Sequence, residues 1–122
     1  MDGTLTVPAI DFALMRQRLG IEAGDILAVL RSWSPVRRKK AFAIIEEIEA
    51  EARAELELQP GALELLDFLV ERKIERGIMT RNTMRTVRHL LRQLPHAFSA
   101  ILTRDFEPVK PAPEPVLHIC AQ

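Results

Sequence analysis

Apolar residues recur at spacings of three and four through the first half of the chain, which predicts helices. One helix is predicted from Asp11 to Leu19, and a short one follows Asp25, whose carboxylate can cap it. A longer helix is predicted from Pro35 to Leu58, because Ser34 offers a capping hydroxyl directly before a proline. The apolar stripe of this helix is Ala41, Ile45, Ile48, Ala52 and Leu56. Such a stripe is typical of a helix that buries one face.

Pro60-Gly61 interrupts the helical pattern, and a second amphipathic helix is predicted from Ala62 to Arg72. The residues that we expect to point inward from it are Leu63, Leu66, Leu69 and Val70. Short apolar segments at 74–79 and 98–102 are predicted to be strands, and Asn82 or Thr83 can cap the helix between them.

A last helix is predicted to begin near Pro113. From residue 61 onward the order is therefore helix, strand, helix, strand, helix. This alternation predicts an α/β fold in which helices cover a parallel sheet. The segment 8–60 is helical throughout and is predicted to be a separate unit inserted ahead of the sheet. The predicted organisation is 1–7, 8–60 and 61–122.

The composition, 48% apolar and 28% charged, is that of a globular protein. Seventeen basic and seventeen acidic residues cancel, so charge favours neither nucleic acid nor an anionic membrane as a partner. The basic run 37–40 is therefore interpreted as a solvated helix face. No apolar run approaches the roughly 20 residues that span a bilayer. A lone cysteine, Cys120, excludes an internal disulfide and favours a reducing compartment.

Three short polar stretches carry candidate chemistry. They are Asp2-Gly3-Thr4-Leu5-Thr6, then Gly77-Ile78-Met79-Thr80-Arg81-Asn82, and finally Lys110-Pro111 in a proline-rich loop. Each alone also has a structural interpretation. Asp-Gly-Thr is a common turn, Thr80 can cap a helix, and a lysine in a loop is usually solvated.

In this order, with a helical insert between the first and the second, the three stretches resemble the haloacid dehalogenase-like hydrolases. Within that superfamily they are most similar to small phosphatases of the phosphoglycolate phosphatase type. The resemblance implies a partial Rossmann-like parallel sheet with a helical cap inserted after the first motif. Residues 1–7 would then be a remnant of the first catalytic motif, 8–60 the cap, and 61–122 a partial α/β core.

The resemblance also implies roles for individual residues. The first family motif is Asp-x-Asp-Gly-Thr, in which the first Asp is the nucleophile and the second the general acid and base. Met1 occupies the x position and Asp2 matches the second Asp, so the nucleophile would stand before Met1. Thr80 would bind the phosphoryl group, and Lys110 would balance its charge. The fourth motif, which adds carboxylates for Mg²⁺, would follow Gln122, so the sequence resembles a family member truncated at both ends.

The candidate catalytic residues are thus Asp2, Thr80 and Lys110, and Asp2 is also the candidate Mg²⁺ ligand. The candidate substrate-binding residues are Gly3, Thr4, Thr80, Arg81, Asn82 and Lys110. These residue types suit phosphoryl transfer, which needs positioned groups and charge neutralisation. A carboxylate nucleophile gives an acyl phosphate, and a second carboxylate can move the protons.

We therefore expect a Mg²⁺-dependent phosphatase that acts on a small phosphorylated metabolite, with no nucleic-acid or membrane partner. The chain alone is expected to be inactive, because the nucleophile and the last metal motif fall outside it. A non-catalytic, regulatory descendant on the same scaffold is the alternative, and the fragment interpretation is favoured over it. A helical interaction module is disfavoured because the stripe of the long helix is narrow and charged. The sequence leaves substrate and oligomeric state open. Cytoplasm is the default compartment, or an organelle if a targeting segment precedes Met1.

Overall fold

The computed structural model of the chain describes residues 1–121 and divides into two compact units. The insert unit is Ala9–Leu56, and the sheet unit comprises Met1–Pro8 and Glu57–Gln122. The insert was predicted to span 8–60, whereas in the structure Pro8 and residues 57–60 belong to the sheet unit. The reason is a short antiparallel ladder, in which Val7 N donates to Glu57 O (3.0 Å) and Gln59 N donates to Leu5 O (2.9 Å).

The insert unit contains helices α1 (Phe12–Leu19), α2 (Ile26–Arg31) and α3 (Pro35–Ala54). The predicted caps Asp25 and Ser34 are confirmed, since each side chain accepts a backbone N–H. Asp11, which was predicted as the first residue of α1, caps that helix in the same way. Buried apolar residues of all three helices, together with Ile21 between α1 and α2, form one core: Met15, Leu19, Ile21, Ile26, Leu30, Ala41, Ile45 and Ile48. Helix α3 was predicted to reach Leu58 but ends at Ala54, because the backbone of residues 57–59 pairs with residues 5–7 instead.

The sheet unit contains α4 (Ala62–Glu71), β1 (Gly77–Met79), α5 (Met84–Leu91), β2 (Ala100–Leu102) and α6 (Glu114–Cys120). The two strands are parallel, with Gly77 opposite Ala100 and Met79 opposite Leu102. The predicted α/β class is therefore confirmed, although each strand is shorter than its apolar segment. Helix α6 packs on both strands.

Two of the four residues predicted to point inward from α4 are exposed. Leu66 is 2% exposed and Leu69 is half-buried, but Leu63 and Val70 are 38% and 42% exposed. The prediction was wrong for these two because the buried face follows Ala62, Leu66 and Leu69. Leu63 and Val70 lie about 80–100° around the helix from Ala62.

No helix within residues 1–121 has both the length and the apolar character that crossing a membrane requires.

Candidate active site

The carboxyl end of β1 leads directly into buried polar residues. Thr80 is 5% exposed and Asn82 is 6% exposed. Thr80 N donates to Leu102 O at 2.9 Å, so pairing with β2 continues one residue beyond β1. In open α/β sheets this edge is where ligands bind. The Thr80–Asn82 segment therefore lies where a site is expected.

The N-terminal turn brings Asp2 to the same edge. Gly3 N donates to Thr6 O (2.8 Å) and Leu5 N donates to Met1 O (2.8 Å), which closes a tight turn around Asp2. Gly3 has φ +75°, a left-handed conformation that favours glycine. The Asp-Gly sequence thus both makes the turn and presents the carboxylate.

Both oxygens of the Asp2 carboxylate accept hydrogen bonds. Asn82 Nδ2 donates to Oδ2 at 2.8 Å, and Thr6 Oγ1 donates to Oδ1 at 3.1 Å. Asp2 and Asn82 are separated by 80 positions in the sequence. The carboxylate is held from two sides, by its own turn and by the loop that follows β1.

The Asn82 amide connects two candidate catalytic residues. Its Nδ2 lies 2.8 Å from Asp2 Oδ2 and 3.1 Å from Thr80 Oγ1, and Met1 Sδ lies 3.9 Å away. An ionised carboxylate only accepts hydrogen bonds, so the NH₂ group must face Asp2. The two amide hydrogens therefore serve the two oxygens. Asn82 was expected to bind substrate, but its NH₂ group is already engaged inside the protein.

The Thr80 hydroxyl retains one hydrogen to donate. Thr80 Oγ1 accepts from Asn82 N at 3.1 Å and from Asn82 Nδ2 at 3.1 Å. A hydroxyl accepts at two lone pairs and donates one hydrogen. Within residues 1–121 no acceptor for that hydrogen is found. The geometry leaves Thr80 as a donor toward an acceptor such as a phosphoryl oxygen.

Lys110 brings positive charge close to this turn. Lys110 is half-buried and lines, with Met1 and Thr4, a groove of about 450 Å³ beside β1. Burial lowers the pKa of the Met1 ammonium below its ordinary value of 8.0, and the charge of Lys110 lowers it further. The Asp2 carboxylate opposes this shift. Asp2 and Lys110 thus both affect the pKa of the Met1 ammonium, in opposite directions. None of the described residues forms an ion pair with Lys110.

The remaining candidates occupy different surroundings. Gly3 and Thr4 are exposed in the turn, and Arg81 is half-buried between Thr80 and Asn82. Sequence reasoning missed Thr6, which is 1% exposed and donates to Asp2. The signal that points to it is weak, a hydroxyl four positions after the candidate carboxylate.

Asp2 was the candidate Mg²⁺ ligand, but the described residues do not complete a magnesium site. No group of three or more His, Cys, Asp or Glu side chains comes together within residues 1–121. Mg²⁺ requires six oxygen ligands in near-octahedral geometry, some of them from water and phosphate. Further oxygen ligands would have to join Asp2.

Comparison with known proteins points to one family of hydrolases. A sequence profile of the haloacid dehalogenase-like hydrolases matches residues 10–122. The chain is 43% identical to a haloacid dehalogenase-like hydrolase domain-containing protein of Arabidopsis thaliana, with 99% of this chain and 54% of that protein covered. It is 36% identical to an uncharacterized hydrolase of Saccharomyces cerevisiae, with 100% and 60% covered. The chain thus spans little more than half the length of these relatives.

A solved structure has a similar fold. The crystal structure of a HAD-superfamily hydrolase from Ehrlichia chaffeensis superposes with a TM-score of 0.55 at 25% identity. The alignment covers 98% of this chain and 65% of that structure. The likeness extends over both units of the chain.

Proposed function

Because the chain belongs to the haloacid dehalogenase-like hydrolase family, we propose that its site serves the hydrolysis of a phosphate ester of a small metabolite. The observation that carries this proposal is the hydrogen-bonded group of Asp2, Asn82 and Thr80 at the carboxyl end of β1. It combines a carboxylate suited to proton transfer with a hydroxyl that has a hydrogen to donate. Lys110 adds positive charge near the same turn.

In the first step an aspartate outside this sequence would attack phosphorus, and the ester P–O bond would break. Asp2 would protonate the departing oxygen, so that the leaving group departs as an alcohol. In the second step water would attack the acyl phosphate while Asp2 takes its proton, which releases phosphate and regenerates the aspartate. Thr80 would donate to a phosphoryl oxygen in both steps, and Lys110 would offset its charge.

Mg²⁺ dependence is part of the proposal. When bound, Mg²⁺ would supply charge neutralisation at the phosphoryl oxygens. Asp2 would be one ligand through its backbone oxygen, which leaves its carboxyl group able to carry the proton, and carboxylates outside residues 1–121 would supply others. We expect no turnover from the 122-residue chain alone, because the attacking carboxylate is not among its residues.

The test uses an extended protein, in which residues 1–122 are joined at both ends to the segments that flank the matched region in the Arabidopsis relative. The design requires an apolar strand that ends in aspartate directly before Met1. With Mg²⁺ and p-nitrophenyl phosphate, the extended protein should release nitrophenol. Asp2→Asn should reduce kcat about 100-fold or more, because no carboxylate then takes the proton of the attacking water in the second step. A folded extended protein that shows no turnover would sink the proposal.

A non-catalytic binding or regulatory role on the same scaffold is the second candidate. It is supported by the Thr80 hydroxyl, whose remaining hydrogen can bind a phosphoryl oxygen whether or not that group is transferred. It predicts that the extended protein binds a phosphorylated ligand without hydrolysing it. Calorimetry on the extended protein, with and without a phosphorylated metabolite, together with the turnover assay separates this role from the enzymatic one.

A further inference from the structure

Thr6 is almost fully buried, and backbone hydrogen bonds hold it on both sides. Its side chain is 1% exposed. Thr6 N donates to Met1 O at 3.3 Å, and Thr6 O accepts from Gly3 N at 2.8 Å. On its other side Thr6 pairs antiparallel with Leu58, inside the short ladder that joins residues 5–7 to 57–59. From this anchored backbone the Thr6 hydroxyl donates to Asp2 Oδ1 at 3.1 Å.

Asn82 is held with similar firmness on the opposite side of the carboxylate. Its backbone N donates to Thr80 Oγ1 at 3.1 Å, and its backbone O accepts from Arg104 N at 3.2 Å. Its amide then reaches Asp2 Oδ2 at 2.8 Å. The two donors approach different oxygens of the carboxylate, so together they fix both its position and its rotation.

We propose that Thr6 and Asn82 are positioning residues for the proton-transfer step, which they serve by locking the Asp2 carboxylate in one orientation. The inference rests on the proposed function, in which Asp2 protonates the departing oxygen. A carboxylate on a short side chain has rotational freedom about χ1 and χ2, and proton transfer depends on hydrogen-bond reach and alignment. Thr6 acts only through Asp2. Asn82 also supports the Thr80 hydroxyl, so its loss affects two groups.

This role predicts a dependence on the leaving group. An alkyl phosphate must be protonated as it departs, whereas p-nitrophenolate leaves readily without a proton. In the extended protein, Thr6→Val keeps the side-chain shape but removes the hydroxyl. It should lower kcat/KM for glycerol phosphate by about 10- to 100-fold and for p-nitrophenyl phosphate by less than about 3-fold. Thr6→Ser restores the donor and should recover most of the glycerol phosphate activity.

The matched control is Thr103→Val. Thr103 is 7% exposed and donates to the carboxylate of Asp105 at 3.1 Å, so it resembles Thr6 in burial and in bonding. None of its hydrogen bonds within the described residues reaches Asp2, Thr80 or Asn82. Any loss of activity in this variant should be the same for both substrates.

A double-mutant cycle provides a second readout. Because Thr6 acts through Asp2, Thr6→Val should change the residual rate of Asp2→Asn by less than about 2-fold. Should Thr6→Val fail to fold in a thermal melt, Asn82→Ala takes its place, with the glycerol phosphate rate again falling further than the nitrophenyl phosphate rate.

The outcomes are distinct. Equal losses for the two substrates in a folded Thr6→Val protein, or losses that add fully to those of Asp2→Asn, would overturn the positioning role. If the unmodified extended protein is folded yet hydrolyses neither substrate, the proposed function itself fails, and this inference fails with it.

Discussion

The side-chain amide of Asn82 lies 2.8 Å from the carboxylate of Asp2, across 80 positions of sequence. Asn82 lies in the loop after β1, and Asp2 belongs to a turn at the chain's first residues. The contact therefore attaches the N-terminal turn to the carboxyl end of β1. A site of this kind forms only when the whole sheet unit has folded, since no local signal holds the two residues together.

The first prediction concerns the stability that Asn82 contributes. Asn82→Ala removes the donor to Asp2 Oδ2 and one of the two donors to the buried Thr80 hydroxyl. We expect the free energy of unfolding of the 122-residue chain to fall by about 1–3 kcal/mol, since the Thr80 hydroxyl stays buried without one of its partners. Urea denaturation measures this change. The control, Gln93→Ala, truncates an exposed amide and should stay within about 0.5 kcal/mol of the parent.

The second prediction is a pH dependence from the Met1 ammonium. Burial, assisted by Lys110, lowers its pKa in the folded chain below the ordinary 8.0. Between the lowered folded pKa and 8.0 the unfolded chain binds more protons, so stability rises with pH in that window. The contribution is fully present above 8.0 and is lost as pH falls through the folded pKa.

Urea denaturation of the 122-residue chain at several pH values between 6 and 9 tests this, with an Nα-acetylated chain as the comparison. Acetylation removes the titrating charge, so the part of the pH slope due to Met1 should disappear. All other residues are the same in both forms, so the difference between the two slopes isolates the N-terminal group. Identical slopes in the two forms would show that Met1 makes no such contribution.

The third prediction concerns the close packing of α6 on β1. A Cβ atom added at Gly77 would lie 2.7 Å from Ile119 Cγ2 and 3.5 Å from Ala100 O. Gly77→Ala should therefore destabilise the chain by about 1–3 kcal/mol, the usual cost of overpacking. Ile119→Ala removes the clashing methyl group, so the double variant should lose less than the sum of the single losses. Additive losses would show that the contact with Ile119 is not the source of the cost.

Local signals in the sequence predicted much of the fold. Asp11, Asp25 and Ser34 each cap the helix that follows, because a short polar side chain satisfies N–H groups of its own first turn. Thr83, one of the two caps considered for α5, also accepts from the first turn of its helix. Each of these hydrogen bonds joins residues three positions apart, so it can be predicted from the local sequence.

Burial and long-range contacts could not be predicted in the same way. The exposure of Leu63 and Val70 depends on how much of α4 the sheet unit covers, which no local pattern states. The hydroxyl of Thr6 donates to Asp2 because the turn around Gly3 brings the two residues together. The amide of Asn82 donates to the same carboxylate from 80 positions away in the sequence. Candidate catalytic residues could therefore be predicted from residue type and order. The hydrogen bonds that orient them could be identified only from the structure.

The last prediction tests the hydrogen that Thr80 is left to donate. Two bonds from Asn82 occupy the acceptor side of the Thr80 hydroxyl, so its O–H is directed to a further acceptor. In the extended protein, Thr80→Val should lower kcat/KM about 100-fold for both an alkyl and an aryl phosphate, because a phosphoryl oxygen is present in each. Thr80→Ser keeps the O–H and should retain activity within about 5-fold. This uniform loss contrasts with the leaving-group dependence expected for Thr6→Val, so steady-state kinetics on two substrates separates phosphoryl binding from proton delivery. A Thr80→Val protein that keeps full activity would mean that the hydroxyl serves only to hold Asn82.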